Sequence, residues 1–351
     1  MKKVLKMASA FIGIIVGAGF ASGQEILQYF TSHGHLGTAA AIVATALFAY
    51  LGMTLTRLGS RMRTTSHKDV IYKISGRYLG VIVDYIIIFT LFGVGVVMIA
   101  GAGSIVDQQF GLAPIIGSTI MLVLVLITVM LNVQKVIAVI GSITPFLIIT
   151  VILVAVYSLV TMDTTFTVLD PVAKESPSVL PNWFFSAVNY VSFNIAVGAA
   201  MALVMGGDEK DEKVAALGGL IGGLGLGVLI LLSHLAIFSK IDVVASFDMP
   251  MLKLVNDISP VLAVLFSFVL FGMIFNTAVS MFYAFAARFM ELNTKSFNIF
   301  VIVSGIVAFC LSFVGFTKLV AFFYPLIGNL GLFLVVALIV ASFRLPKKKL
   351  G

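Results

Sequence analysis

Residues able to do chemistry are scarce in this sequence, and the densest group of them lies in the stretch "FIGIIVGAGFASGQEI", Phe11 to Ile26. Gly13, Gly17, Gly19 and Gly23 interrupt an apolar run that ends in Gln24 and Glu25. Glycine is a weak helix former, so the run is expected to break around "GAGFASGQE", Gly17 to Glu25. A broken helix offers unpaired N–H groups at the start of one half and unpaired carbonyls at the end of the other. The first can hold a carboxylate and the second a cation or an ammonium group. Glu25 then serves as a gate, a proton acceptor or a cation ligand, with Gln24 beside it. Spacing also allows a plainer role, because Gly13 and Gly17, and Gly19 and Gly23, are four apart, as in close helix packing. Glu25 could likewise snorkel to an interface or bond to Gln24.

Two further polar groups stand in apolar runs. "NYVSFNIAVGAAMALVMGG" carries Asn189, Ser192, Asn194 and Gly198, and "FGMIFNTAVSMFYAF" carries Asn276, Thr277 and Ser280. Thr277 and Ser280, three apart, share a helical face. Their hydroxyls suit a small hard cation such as Na⁺, or simply bond back to their own helix. "GGLIGGLGLG", Gly218 to Gly227, lacks polar companions and is read as packing. No nucleophile with a base, and no cluster at metal-ligand spacing, stands out, which disfavours an enzyme and leaves no catalytic residue to name. The expected cofactor is none beyond a coupling ion, Na⁺ or H⁺.

The elements that position these groups are membrane spans. Of 351 residues 60% are hydrophobic and only 11% charged, with a mean hydropathy of +1.16, and apolar runs of span length recur throughout. Spans are expected at 4–30, 36–56, 79–103, 113–131, 136–160, 182–206, 214–238, 258–287, 296–313 and 319–343. The absence of period-two alternation excludes a β-barrel. With ten spans, 18 of the 22 Lys and Arg residues fall on the side of the termini. That side is therefore expected to be cytoplasmic, in a multi-pass protein of the cell membrane. The charge of +7 is this bias, so the expected partners are the bilayer and a small molecule, with no nucleic acid and no protein partner evident. Only Glu25 and Asp84, among fifteen acidic residues, lie within spans. Asp84 is expected to form an interfacial ion pair, His234 a packed polar contact, and His33 and His35 to titrate in water.

The outer loop 161–181 divides one transmembrane domain into a first repeat, 1–160, and a second, 182–343. Five spans each give the halves opposite orientation, the layout of an inverted repeat whose site lies between interrupted helices. Both span 1 and span 6 are expected to be interrupted.

"IIVGAGFASGQEI" together with "SFNIAVGAAMALVMGGDEK" resembles the YkvI-type bacterial membrane proteins, whose first span is similar to that of the amino acid-polyamine-cation superfamily. The resemblance implies an all-α, ten-span LeuT-type fold with broken helices 1 and 6. It matches Gly17, Ala18 and Gly19 to the unwound glycine motif and Asn194 to Gly198 to the span 6 break; Thr277 and Ser280 match a cation site. Phe20 and Phe193 join them as substrate-lining candidates. Proton-coupled relatives often place a lysine in span 5; here only Lys135, at its mouth, is present, which favours Na⁺. The expectation is a secondary active transporter of a small amino acid or similar zwitterion. The alternative is a non-transporting nutrient receptor of the germinant type on the same fold. A channel is disfavoured because the spans carry no continuous polar path.

Overall fold

The computed structural model describes residues 1–63, 67–131, 144–292 and 294–344, and these are helical nearly throughout. Lys135, the start of the expected fifth span and Lys347 to Lys349 lie outside the described residues. The first expected span is three helices: α1 (Lys2–Ile15), α2 (Ala18–Ser22) and α3 (Gln24–Tyr29). Between α1 and α2 the chain is extended at Val16 (ψ 94°) and Gly17 (ψ −174°). Between α2 and α3 Gly23 takes φ +82°, a left-handed conformation that glycine enters without a Cβ clash. The interruption thus falls at Val16 and Gly17, while Ala18 and Gly19, expected to be unwound, open the short helix α2.

A 3-10 turn at Thr31–His33 leads into α4 (His35–Met62), α5 (His67–Phe110), α6 (Pro114–Met130) and α7 (Thr144–Val160). The loop 161–181 contains α8 (Phe166–Glu175). Beyond it run α9 (Trp183–Asp208), α10 (Glu212–Phe238), the short α11 (Ile241–Val244) and α12 (Pro250–Ile258), then α13 (Pro260–Phe289), α14 (Lys295–Ser312) and α15 (Phe316–Arg344). Among the described residues, seven helices are long and apolar enough to cross a membrane: α4, α5 from Asp84 onward, α9, α10, α13, α14 and α15 up to Val340. Shorter apolar helices occupy the places of the fourth and fifth expected spans. The starts are set by local chemistry. Asn182, Asp211, Ser259 and Thr294 each accept a backbone N–H of the following turn, which satisfies donors that a helix cannot pair internally.

One expectation is corrected here. Helix α9 runs unbroken from Trp183 to Asp208, so the interruption expected at Asn194 to Gly198 does not occur. The polar side chains that suggested it are bonded instead. Asn194 Nδ2 donates to Tyr190 O in its own helix at 2.9 Å, and Ser192 Oγ donates to Gly328 O of α15 at 2.6 Å. A polar residue in an apolar helix marks a break only if its partner is not a neighbouring helix, and α15 supplies that partner.

The glycine stripe of α10 packs as expected. A Cβ on Gly219 or Gly223 would strike the carbonyls of Gly52 or Phe48 on α4, so the two backbones are in contact. Close approach of this kind is the physical content of small-residue spacing in membrane helices. We expect Gly223→Val to destabilise the protein by about 1–3 kcal/mol or more, the cost of overpacking against immobile backbone, measurable as a lowered unfolding temperature in detergent.

The two ends of the bundle are tied differently. At the end rich in basic residues, Arg57 and Arg61 of α4 both reach Glu212 Oε1 of α10, each at 2.7 Å, and Arg288 of α13 pairs with Asp84 of α5. Asp84 is thus the interfacial ion pair expected of it. At the opposite end Gln108 of α5 makes a two-way bond with Met249, accepting its N–H and donating to its carbonyl, both at 3.0 Å. Asp248 accepts from Ser104 (2.7 Å) and Thr317 (2.5 Å). These bonds hold α12 over the junction of α2 and α3, where Met251 packs on Gly23.

The nearby histidines differ from each other. His35 donates its backbone N–H to Asp170 at 2.8 Å. Burial would raise the Asp170 carboxyl, but the bonds from Lys174 and from His35 bring it below the usual carboxylate range. His33, expected to titrate freely, is only 8% exposed, and its Nε2 lies 3.2 Å from Ser178 Oγ. Burial lowers its affinity for protons because it disfavours the charged ring. His234 behaves as a packed polar contact: its ring nitrogens lie 3.0 Å from Thr31 Oγ1 and 3.0 Å from Thr38 Oγ1.

Candidate functional site

The site is built around the gap between α1 and α2. Around Gly17 there is room: a Cβ there would meet no atom within 4 Å. Gly19, two residues on, is the opposite case, since a Cβ there would fall on the Glu25 carboxylate. The left-handed turn at Gly23 folds α3 so that Glu25 turns back over the first turn of α2. Glu25 is 4% exposed, so it neither snorkels nor reaches water at an interface. One of its oxygens, Oε2, accepts from the Tyr190 hydroxyl of α9 at 3.2 Å. Tyr190 is itself wedged among aromatic rings, with centroids of Tyr29 at 5.1 Å, Phe30 at 5.0 Å and Phe48 at 6.1 Å. The expected bond from Gln24 to Glu25 is not among those formed; Gln24 Oε1 is buried without a partner.

A second polar layer lies beside the first. Asn189 Oδ1 accepts from the Tyr29 hydroxyl at 3.1 Å, while Nδ2 donates to Pro325 O at 3.0 Å and to Asn329 Oδ1 at 2.8 Å. Pro325 lies inside α15, where it lacks the N–H that would close the helix ladder. One amide therefore joins the end of the first segment, α9 and α15. Phe193 stacks on Tyr324 of α15, with centroids 4.1 Å apart and planes at 19°.

The remaining sequence candidates divide. Gly198 lies directly against Ile15, the last residue of α1, so α9 meets the first segment at its break. Phe20 and Phe193 are both buried in the core. Asn194 turns to its own helix. Thr277 donates to Met273 O at 3.0 Å, the local bond that hydroxyls commonly make in such helices, and Ser280 is half-buried on the same helix. The sequence reading missed Tyr190 and Tyr29. A tyrosine inside an apolar run is the one signal the sequence offers for them. Asn189, which in the sequence reads as a sign of a break, bridges three segments.

Toward the basic end, a cavity of about 300 Å³ lies between α5, α9, α13 and α15. Leu91, Ala196, Ala200, Met281 and Leu334 make most of it apolar, while Thr90 and Arg288 are its polar members.

The bundle is that of an all-helical, multi-pass membrane protein with a buried carboxylate at the break of its first segment, and comparison with solved structures shows its fold to be of the LeuT type. The chain superposes on MhsT in complex with L-phenylalanine with a TM-score of 0.62, 17% identity and 96% of both chains covered. For the inward-facing conformation of Mhp1 the TM-score is 0.61, with 14% identity over 98% of this chain and 78% of that one. For a manganese transporter of Eremococcus coleocola it is 0.55, with 14% identity over 96% of this chain and 76% of that one. No family model matches the chain. By sequence the chain is a homologue of the membrane protein YkvI of Bacillus subtilis (strain 168), with 28% identity over 338 residues, 95% of this chain and 94% of YkvI. YyaD of the same organism is 25% identical over 335 residues, 95% of this chain and 96% of YyaD.

Proposed function

We propose that the protein is a secondary transporter that moves a small amino acid or similar zwitterion across the cell membrane by alternating access, without covalent chemistry. The observation that carries this reading is the open space at Gly17, at a helix break beside a buried carboxylate. Gly17, Ala18, Gly19 and Phe20 of the first segment, with Phe193, Asn194 and Gly198 of α9, are the proposed lining. The continuous α9 has no freed carbonyls to receive an ammonium group. The last carbonyls of α1 are therefore assigned that role, since a helix end cannot pair them internally. The likeness to MhsT, whose structure holds L-phenylalanine, supports an amino acid as cargo.

The ten spans form two inverted halves of five, with the basic end and both termini cytoplasmic. In that orientation α12 closes the outer side over Gly23, and the apolar cavity by Arg288 lies toward the inner side. Two coupling ions suit the arrangement: Na⁺ beside Thr277 and Ser280, or H⁺ at Glu25.

A thermal-shift screen of the twenty L-amino acids on detergent-purified protein tests the site. A true ligand at a hundred times its Kd stabilises by about 2.7 kcal/mol. The shift should vanish in Gly17→Trp; an equal shift in that variant contradicts the placement.

A further inference from the structure

We propose that Glu25 is the seat of a coupling proton, so that the carrier runs on H⁺ and the Glu25 carboxyl binds and releases that proton once per transport cycle. This rests on the transporter reading above and decides its coupling ion. The carboxylate takes one H⁺ from water on one side and returns it to water on the other; only an O–H bond forms and breaks.

The surroundings of Glu25 carry the inference. Its one bonded partner is a neutral hydroxyl, Tyr190. Every element packed against α3 presents neutral groups, charges already engaged, or charges out in the open. The phenols are Tyr29 on α3, Tyr190 on α9 and Tyr324 on α15. On α10, His234 lies between two threonines, and His33 of the 3-10 turn lies against Ser178. On α12, Lys253 pairs with Asp257 at 2.5 Å, Asp248 just before it is held by Ser104 and Thr317, and Lys318 of α15 is exposed. Among the described residues no group of three His, Cys, Asp or Glu side chains could hold a metal with it. An ionised carboxylate held by a single hydroxyl at such depth carries a desolvation cost of several kcal/mol, which protonation removes.

A second, independent observation points the same way. Two buried amide oxygens on the same short helix, Gln24 Oε1 and Gln28 Oε1, have no donor. Gln28, three residues after Glu25, shares its helix face, and a carboxylic acid carries a donor that a carboxylate lacks. Position completes the case. Glu25 lies on Gly19, directly after the break, and Gly23 between them is covered by Met251 of α12. Lifting α12 would wet Glu25, and the same motion would open the seat at Gly17.

The test uses full-length protein in proteoliposomes, with Glu25→Gln as the isostere of the protonated side chain and the twenty labelled L-amino acids as probes. Infrared spectra at neutral pH should show the C=O band of a buried carboxylic acid, shifted in D₂O and absent from Glu25→Gln. Wild type should accumulate its substrate under an inward proton gradient, about tenfold per pH unit at one proton per substrate, with no need for Na⁺. Glu25→Gln should keep counterflow exchange but not accumulate, and Glu25→Asp, which retains a carboxyl, should still accumulate. Several results overturn the proposal: no carboxylic band, accumulation that follows Na⁺ and ignores pH, or accumulation by Glu25→Gln equal to wild type. Loss of counterflow by folded Glu25→Gln also overturns it, because Glu25 would then bind the substrate ammonium. A band without counterflow of any probe by wild type overturns the transporter reading itself, and the coupling with it, while leaving the protonated carboxyl in place.

Discussion

Replacing Gly19 with alanine is expected to lower both stability and uptake, whereas replacing Gly17 with tryptophan should remove uptake and leave stability nearly unchanged. The two glycines are two residues apart, and a sequence pattern treats them alike. In the structure a methyl on Gly19 falls on the Glu25 carboxylate, while around Gly17 there is open space. The Gly19→Ala methyl would push Glu25 off Tyr190, leaving a buried hydroxyl and a carboxyl without each other. Each orphaned group costs about 1–3 kcal/mol. Overpacking adds a similar amount. Uptake should fall at least about tenfold, since about 1.4 kcal/mol at the site already has that effect. Unfolding in detergent and uptake in proteoliposomes measure the two effects. A Gly19→Ala protein as stable and active as wild type would show that the carboxylate does not rest there.

The second large effect is expected at Asn189. Substitution by leucine removes three bonds at once and strands the Tyr29 hydroxyl, Pro325 O and Asn329 Oδ1 inside the bundle. Single hydrogen bonds between membrane helices are modest, about 0.6 kcal/mol on average. Stranding several buried groups together is costlier, and a loss of about 2–5 kcal/mol is expected. Asn194→Leu is the control, because Asn194 bonds only within its own helix and its loss should cost about 1 kcal/mol or less. Equal unfolding temperatures for the two variants would contradict the bridging role.

These contrasts show what one dimension carries. Depth in the bilayer and helical period are sequential properties, so the long apolar helices, the glycine stripe of α10 and the break in the first segment were legible. The pairing of Asp84 with a basic residue was legible as chemistry, but its partner Arg288 is two hundred residues away in the chain and required the fold. The supposed break in α9 failed for the same reason. Asn189 and Ser192 look like unsatisfied groups until α15 is placed beside them. His33 lies in a polar stretch that reads as a wet loop, yet helices α8 and α10 pack against its turn and Ser178 lies against its ring. Tyr190 is the clearest omission, since a tyrosine in an apolar run reads as packing until a carboxylate is found against its hydroxyl.

The most direct test of the transporter reading is flux. Purified protein in proteoliposomes should accumulate at least one of the twenty labelled L-amino acids against its gradient, and Gly17→Trp should not. Saturable binding of an amino acid with no flux under any imposed ion gradient would contradict the reading and identify the protein as a receptor on a transporter fold.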